Sequence, residues 1–246
     1  MSPLLQCIAD GARRAAGRIL PRQAVCWPTL EQEVGEWRRY LTGRCLNAGA
    51  GVRDASALVS GELVNVDIRD DLPPGAVHLR APLHDLPVPD GHFDSILCNA
   101  VLEHVDDPDA VLREFCRVLA PGGHLYLCVP FLQPYHPGPV DHQRYTLEGL
   151  CHRVRMHGFR VLAAEPVHTV YHTLGWILQE WLNNERGLRA ALLRALLYPV
   201  LRHRTRRSRR TCAAIASAVR LVAVKDRPGT AGEAAAFRKG APGDGG

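Results

Sequence analysis

Residues 45–54 read CLNAGAGVRD: a short apolar run, then Gly49 and Gly51, one residue apart. Such a turn after a strand lets the backbone approach something that side chains would exclude. What it approaches is decided by its neighbours. A dinucleotide fingerprint needs a third glycine where Asp54 stands, and a carboxylate there repels a pyrophosphate. No G-x-x-x-x-G-K-[ST] string occurs, which removes a P-loop. Downstream, Val64-Asn65-Val66-Asp67-Ile68 closes a second apolar run on an acid. Folds of this kind hold a ribose at roughly that distance, because a carboxylate accepts from both sugar hydroxyls. The pair of features fits a nucleoside without a pyrophosphate.

The rest of the chain supplies the fold class. Apolar runs at residues 45–48, 63–68, 77–79, 93–98, 125–130 and 159–163 alternate with helical patterns, and 219–224 reads as one more strand. This rhythm predicts an α/β fold: a Rossmann-like, doubly wound, mostly parallel seven-stranded sheet. Helices are expected over residues 29–41, over 54–60 (DASALVS), over 107–119, where Pro121-Gly122-Gly123 ends the pattern, and over 146–157, capped by Thr146. After residue 167 the rhythm gives way to apolar helical segments carrying Trp176, Trp181, Leu188, Leu192, Leu193, Leu196 and Leu197. They form a helical insert before the last strand. The expected organisation is an N-terminal helical extension (1–42), a main domain (43–227) with the insert at 168–215, and a disordered Gly/Ala/Pro-rich tail (228–246).

Composition narrows the function classes. The chain of 246 residues is 46% hydrophobic and 22% charged, ordinary for a globular protein with one good core. Its formal charge of +5 is concentrated in RHRTRRSRR, from Arg202 to Arg210. The remainder is near neutral, so a general nucleic-acid footprint is not expected. The eight cysteines form no C-x-x-C pair and several lie in strand-like runs, which points to free thiols rather than a disulfide frame or zinc site. The N-terminus lacks the continuous apolar core of a signal peptide, and no run is long enough to span a bilayer. The cytoplasm is the expected compartment, with the arginine run allowing a peripheral place at the inner membrane surface.

The order of motifs resembles that of class I S-adenosylmethionine-dependent methyltransferases, the small-molecule type with a methyltransferase type 11 domain. CLNAGAG is similar to the first motif and VNVDI to the second. HDLPVPDGHFDSILCNAVLEHV is similar to the stretch with the adenine contacts and fourth strand, and RVLAPGGHLYLCVPF to the turn and fifth strand. The resemblance implies S-adenosyl-L-methionine as cofactor. It implies that Asn47, Ala48, Gly49, Ala50 and Gly51 lie against the methionine end, and that Asp67 holds the ribose. Ile68 then packs on adenine, Leu83 offers it a backbone amide, and Asn99 lies near the amino-acid portion. The family usually has an acid at position 47 and often one at 82, where this chain has Asn47 and Pro82; Asp85 is the stand-in for the second.

Methyl transfer from a sulfonium needs alignment and, for a protonated acceptor, a base. Two segments carry candidates. Glu103-His104 follows the fourth strand; a similar E-x-x-E-H cluster holds a metal in ubiquinone-pathway O-methyltransferases, but Ala100 replaces its first acid, so no metal is expected. The stretch FLQPYHPGPVDHQRYT (131–146) combines His136, Asp141, Arg144 and Tyr145 with three prolines. It is similar to a subgroup of bacterial methyltransferases associated with glycans or other envelope metabolites. His136 is the candidate base, since imidazole titrates near neutral pH. Asp141 and Arg144 read equally well as a structural ion pair.

The reading is a methyltransferase acting at oxygen or nitrogen of a small-molecule, glycan or envelope-metabolite acceptor, with the helical insert as the acceptor's wall. A non-catalytic S-adenosylmethionine-binding relative is the first alternative. An RNA or protein methyltransferase ranks below it, since the chain lacks an N-P-P-Y motif. Contact with an anionic membrane surface is assigned to the run from Arg202 to Arg210.

Overall fold

The computed structural model describes residues 23–138 and 140–226. The expectations for residues 1–22 and for the tail from 228 onward lie outside the described residues. The chain divides into two compact units: Leu30–Pro130, Pro137–Glu165 and residues from 219 in one, and residues up to Thr29, Phe131–His136 and Pro166–Ala218 in the other.

The first unit is built on a seven-stranded sheet of order β3-β2-β1-β4-β5-β7-β6. Its strands are β1 Thr42–Ala48, β2 Ser60–Asp67, β3 Leu79–Arg80, β4 Phe93–Asn99, β5 Leu119–Pro130, β6 Phe159–Val167 and β7 Ala218–Lys225. The pairs β2–β3, β1–β2, β1–β4 and β4–β5 are parallel. Chain order reverses between β1 and β4, which makes the carboxyl ends of these two strands the switch point of the sheet. Both strands are buried along their second halves, as near-continuous apolar runs covered on two faces must be.

Helix α1 (Leu30–Val34) continues as a 3-10 helix through Gly35–Tyr40, so the helix expected over 29–41 is present but changes type at Gly35. Arg220 on β7 fixes it: its guanidinium lies 4.1 Å from the Trp37 ring centroid and bonds the Glu33 carbonyl and, through Nε, the Glu165 carboxylate at 3.1 Å. Helix α2 (Pro108–Val118) begins where Asp107 accepts from the Ala110 N–H at 2.9 Å, with Pro108 in the first turn. Its Val111, Leu112, Phe115 and Val118 are all buried. Helix α3 (Leu147–Met156) starts at Thr146, whose hydroxyl accepts from the Gly149 N–H at 3.0 Å.

Two expectations need correction. The helix read into 54–60 is a single 3-10 turn, Ser56–Leu58. Only residues 49–59 separate β1 from β2, yet in a parallel pair they must travel back along a seven-residue strand, about 23 Å at ~3.3 Å per residue. An α-helix over 54–60 would advance ~10 Å at ~1.5 Å per residue, so the link must stay largely extended. Asp54 Oδ1 accepts from the Ser56 N–H at 2.8 Å and tightens the 3-10 turn in it. Second, Pro121-Gly122-Gly123 is not a loop between helix and strand. It lies inside β5, where Phe93↔Leu119 is followed by Ser95↔His124, a bulge that takes up three extra residues.

The segment before β4 is held by α2. Leu86 N donates to Glu114 Oε1 at 2.7 Å, while Arg117 donates to the carbonyls of Val88 and Leu86 and to Asp90 and Glu114. The Arg117 hydrogen bond keeps the Glu114 carboxyl below its ordinary range. A lowered folded-state pKa stabilises above the unfolded value and the contribution is lost as pH falls through the folded one. We expect the stability gap between wild type and Glu114→Gln, measured by urea unfolding, to be widest at neutral pH. It should narrow once pH drops below the ordinary glutamate range and falls through the lowered folded-state value.

The second unit is a helical pair, α4 (Val170–Asn184) and α5 (Leu188–Arg207), between β6 and β7, as the expected insert requires. Ala24, Val25, Leu182, Ala190 and Tyr198 form its core, with Trp176, Leu178, Leu193 and Leu201 packed against them. Leu188, Leu192 and Leu196, read from the sequence as wall residues, are exposed. Helix α5 takes in the first part of the arginine run, through Arg207. Cations in its last turns complement the helix dipole. Among the described residues, no helix is long and apolar enough to cross a membrane.

Candidate functional site

At the switch point, residues 49–53 turn away from β1 and meet the end of β2. Gly49 and Gly51 have φ of 63° and 57°, the left-handed region that glycine enters without strain. A Cβ on Gly49 would lie 2.6 Å from a Val101 methyl, whereas one on Gly51 would meet nothing within 4 Å. Gly49 is thus required by packing, and Gly51 faces open space. Ala48 and Ala50 are buried, and Ala50 N donates to the Val66 carbonyl at 3.1 Å, which locks the turn to β2.

Asp67 ends β2 nearly buried. Its Oδ2 accepts from the Gly51 N–H at 2.8 Å and its Oδ1 from the Arg69 N–H at 3.0 Å. Each oxygen keeps a second lone pair, so the carboxylate has acceptor capacity left for two hydroxyls. The next residue, Ile68, is 65% exposed, an apolar side chain offering its face beside the acid. Asn99, at the end of β4, is buried, and its Oδ1 has no partner among the described residues. Its carbonyl accepts from Arg53 Nη2 at 3.1 Å. Ala100 then takes φ 55°, and its N–H donates to the Cys128 carbonyl at 2.8 Å. An acid with spare lone pairs, an open glycine, an exposed apolar face and an orphaned amide oxygen are the groups that the expected S-adenosylmethionine site calls for.

Asn47 does not replace the family's acid in kind. It sits opposite Asn65 in the β1–β2 register and donates to Asn65 Oδ1 at 2.9 Å, while Asn65 donates to the Ala76 carbonyl at 3.0 Å. The position is spent on tying β1 to the segment after β2. Leu83 is buried near the end of β3; Asp85, two residues on, is exposed, and no hydrogen bond of its side chain joins it to the glycine turn. Arg53 was not anticipated. No periodicity marks it, and only its distance from Asn99 brings it into the site.

The segments after β4 and β5 are laced together within the same unit. His142 N donates to the Glu103 carbonyl at 2.9 Å, Gln143 Nε2 to the Leu102 carbonyl at 3.3 Å, and His104 Nδ1 pairs with the Val140 carbonyl. His104 Nε2 lies 3.6 Å from the carboxylate of buried Glu103. Asp141 and Arg144 form a two-pronged ion pair with each other, the structural alternative read from the sequence. Tyr145 is buried, its hydroxyl has no partner among the described residues, and burial raises its pKa, which keeps it neutral. His136 belongs to the helical unit, where its ring centroid is 5.7 Å from that of Trp176 and Nδ1 is 3.1 Å from the Pro134 carbonyl. The described cysteines are free; Cys45, buried in β1, has its pKa pushed up to about 11 by burial.

Residues 46–127 match the methyltransferase domain family. The ubiquinone/menaquinone biosynthesis C-methyltransferase of Shewanella sp. (strain ANA-3) is 36% identical over 127 residues, 41% of this chain and 50% of that protein. The protein of that name from Shewanella sp. (strain W3-18-1) is 38% identical over 112 residues, 38% of this chain and 44% of that protein. The chain therefore spans about half the length of the curated relatives it matches. Among solved structures, a putative sarcosine dimethylglycine methyltransferase from Galdieria sulphuraria superposes with TM-score 0.53 at 14% identity, over 88% of this chain and 98% of that one. The [4+2]-cyclase SpnF gives 0.52 at 20%, over 81% and 83%. Haemonchus contortus phosphoethanolamine N-methyltransferase 2 with S-adenosylmethionine gives 0.51 at 15%, over 80% and 53%. At these identities the structures speak for the fold. Residues 46–127 are thus similar to a methyltransferase domain, and the sheet shares the fold of these solved structures.

The two glycines should respond differently to alanine. Gly49→Ala combines a left-handed backbone with a clash and should cost on the order of 2–3 kcal/mol in urea unfolding, Gly51→Ala about 1 kcal/mol. Equal costs would contradict the assignment of Gly49 to packing and Gly51 to the open side.

Proposed function

We propose that this chain transfers a methyl group from S-adenosylmethionine to oxygen or nitrogen of a small-molecule, glycan or envelope-metabolite acceptor. The observation that carries the reading is the joint between Gly51 N–H and Asp67, which presents a nearly buried carboxylate with free lone pairs at the sheet's switch point. Arg53, with one donor on the Asn99 carbonyl and others to spare, is our candidate partner for the cofactor's carboxylate.

The methyltransferase match ends at residue 127, inside β5. The stretch expected to meet the acceptor begins after Pro130, outside that match, so the family match does not name the acceptor. We retain His136 as the base on its place in the chain, six residues past the end of β5. His104, Asp141, Arg144 and Tyr145 are proposed to shape the acceptor side by holding the post-β4 and post-β5 segments in register. We further propose a cytoplasmic location at the inner membrane surface, with Arg202 to Arg210 as the contact.

A second reading is a relative that binds S-adenosylmethionine without transferring its methyl group. It is favoured by Asn47, committed to Asn65 instead of offering a charge, and by the presence of a cyclase among proteins of this fold. Calorimetric titration with S-adenosylmethionine tests the shared part. Asp67→Ala should weaken binding about 10- to 100-fold, the value of one or two charge-assisted hydrogen bonds. His136→Ala should leave that affinity unchanged and lower turnover about a hundredfold or more. Unchanged affinity in Asp67→Ala would reject the cradle; wild-type affinity without methylated product from any acceptor class would select the second reading.

A further inference from the structure

The helical pair carries an apolar surface that its own core does not use. On α5, Leu188, Leu192, Leu196 and Val200 recur every four residues; on α4, Leu174, Ile177 and Trp181 follow helical spacing. All are between 49% and 75% exposed. Val200 belongs to both this stripe and a groove of about 450 Å³ between the helices, lined by Leu174, Ile177, Leu178, Trp181, Leu197 and Leu201 as well. Contiguous exposed apolar faces of this kind are uncommon on free globular domains and mark contact surfaces.

Charge identifies the partner. Between residues 168 and 212 there are nine arginines and two glutamates, a balance of +7, so the rest of the chain, whose total is +5, carries −2. The arginines crowd the last turns of α5 and the residues just after it, next to Val200. Arg204 lies over the Tyr171 ring at 5.8 Å, but no carboxylate among the described residues pairs with Arg206, Arg207, Arg209 or Arg210. A second copy of the chain brought to this face would add another strongly positive helix. A nucleic acid would satisfy the arginines and leave the leucines in water. A bilayer with anionic headgroups satisfies both at once: apolar side chains enter the acyl boundary, arginines stay at headgroup level, and tryptophan sits between.

We propose that α4 and α5 form a membrane-interfacial hairpin that lies in the plane of an anionic bilayer and buries Leu188, Leu192, Leu196, Val200, Ile177 and Trp181 in it. This deepens the arginine contact proposed above, and it stands independently of methyl transfer.

The test is co-sedimentation of the full chain with vesicles of phosphatidylcholine alone or mixed with phosphatidylglycerol, read together with tryptophan emission. Wild type should bind the mixed vesicles with a blue shift and ignore the neutral ones. Leu192→Ser/Leu196→Ser/Val200→Ser, all exposed positions, should keep the helical circular dichroism and lose about tenfold or more in partitioning. Arg206, Arg207, Arg209 and Arg210 changed together to Gln should weaken binding and flatten its salt dependence. Triple-serine protein that partitions like wild type would overturn insertion while leaving an arginine-only contact. Wild type that ignores both vesicles, whether monomeric or as a dimer that the serine variant dissociates, would overturn the proposal. Failure to bind S-adenosylmethionine would bear on the cradle alone.

Discussion

The structure depends on a carboxylate that must be kept in place without being neutralised. Asp67 is held by two backbone N–H groups, from Gly51 and Arg69. Neither donor removes its charge, and neither needs a side chain that would fill the space above it. That arrangement exists because the link from β1 to β2 is too short for a helix. The extended return path carries Gly51 across the end of β2, and the Ala50–Val66 hydrogen bond fixes the crossing. Geometry imposed by chain length therefore positions the carboxylate.

Much of this was legible in the sequence. Seven apolar runs gave seven strands with ends displaced by a few residues, because buried strands near a switch point are apolar on both faces and stand out from their surroundings. The turn at Gly49 and Gly51 and the strand-ending Asp67 were identifiable because residue type and spacing mark them. Other features were hidden for physical reasons. The DASALVS segment has a helical composition, but the span it must cover overrides local preference. The Pro121–Gly123 stretch reads as a terminator, and only the pairing of β4 with β5 shows it absorbed as a bulge. Asn47 is settled by a cross-strand partner, Asn65, and Arg53 by the Asn99 carbonyl, contacts between positions far apart in sequence that periodicity does not reveal. The leucines of α5 looked like wall residues because they are spread round the helix, and their number alone does not say which of them meet solvent.

The methyltransferase match, residues 46–127, takes in the glycine turn and Asp67 and stops before the segments that follow β5. Function in such folds lives in what is added to the sheet. Here the additions are the laced segment from Val140 to Tyr145 and an arginine-rich helical pair with an exposed apolar face. The first is tied down by main-chain and side-chain hydrogen bonds and an internal ion pair. The second presents surface, and its chemistry suits a partner that is apolar within and anionic at its edge.

The central claim is that Asp67 and the Gly51 turn form the seat of a sulfonium nucleoside. A crystal structure with S-adenosylhomocysteine tests it most directly. The account predicts both ribose hydroxyls within hydrogen-bonding distance of the Asp67 carboxylate and the adenine against Ile68. A ligand bound elsewhere, or seated here with its sugar away from Asp67, would contradict it.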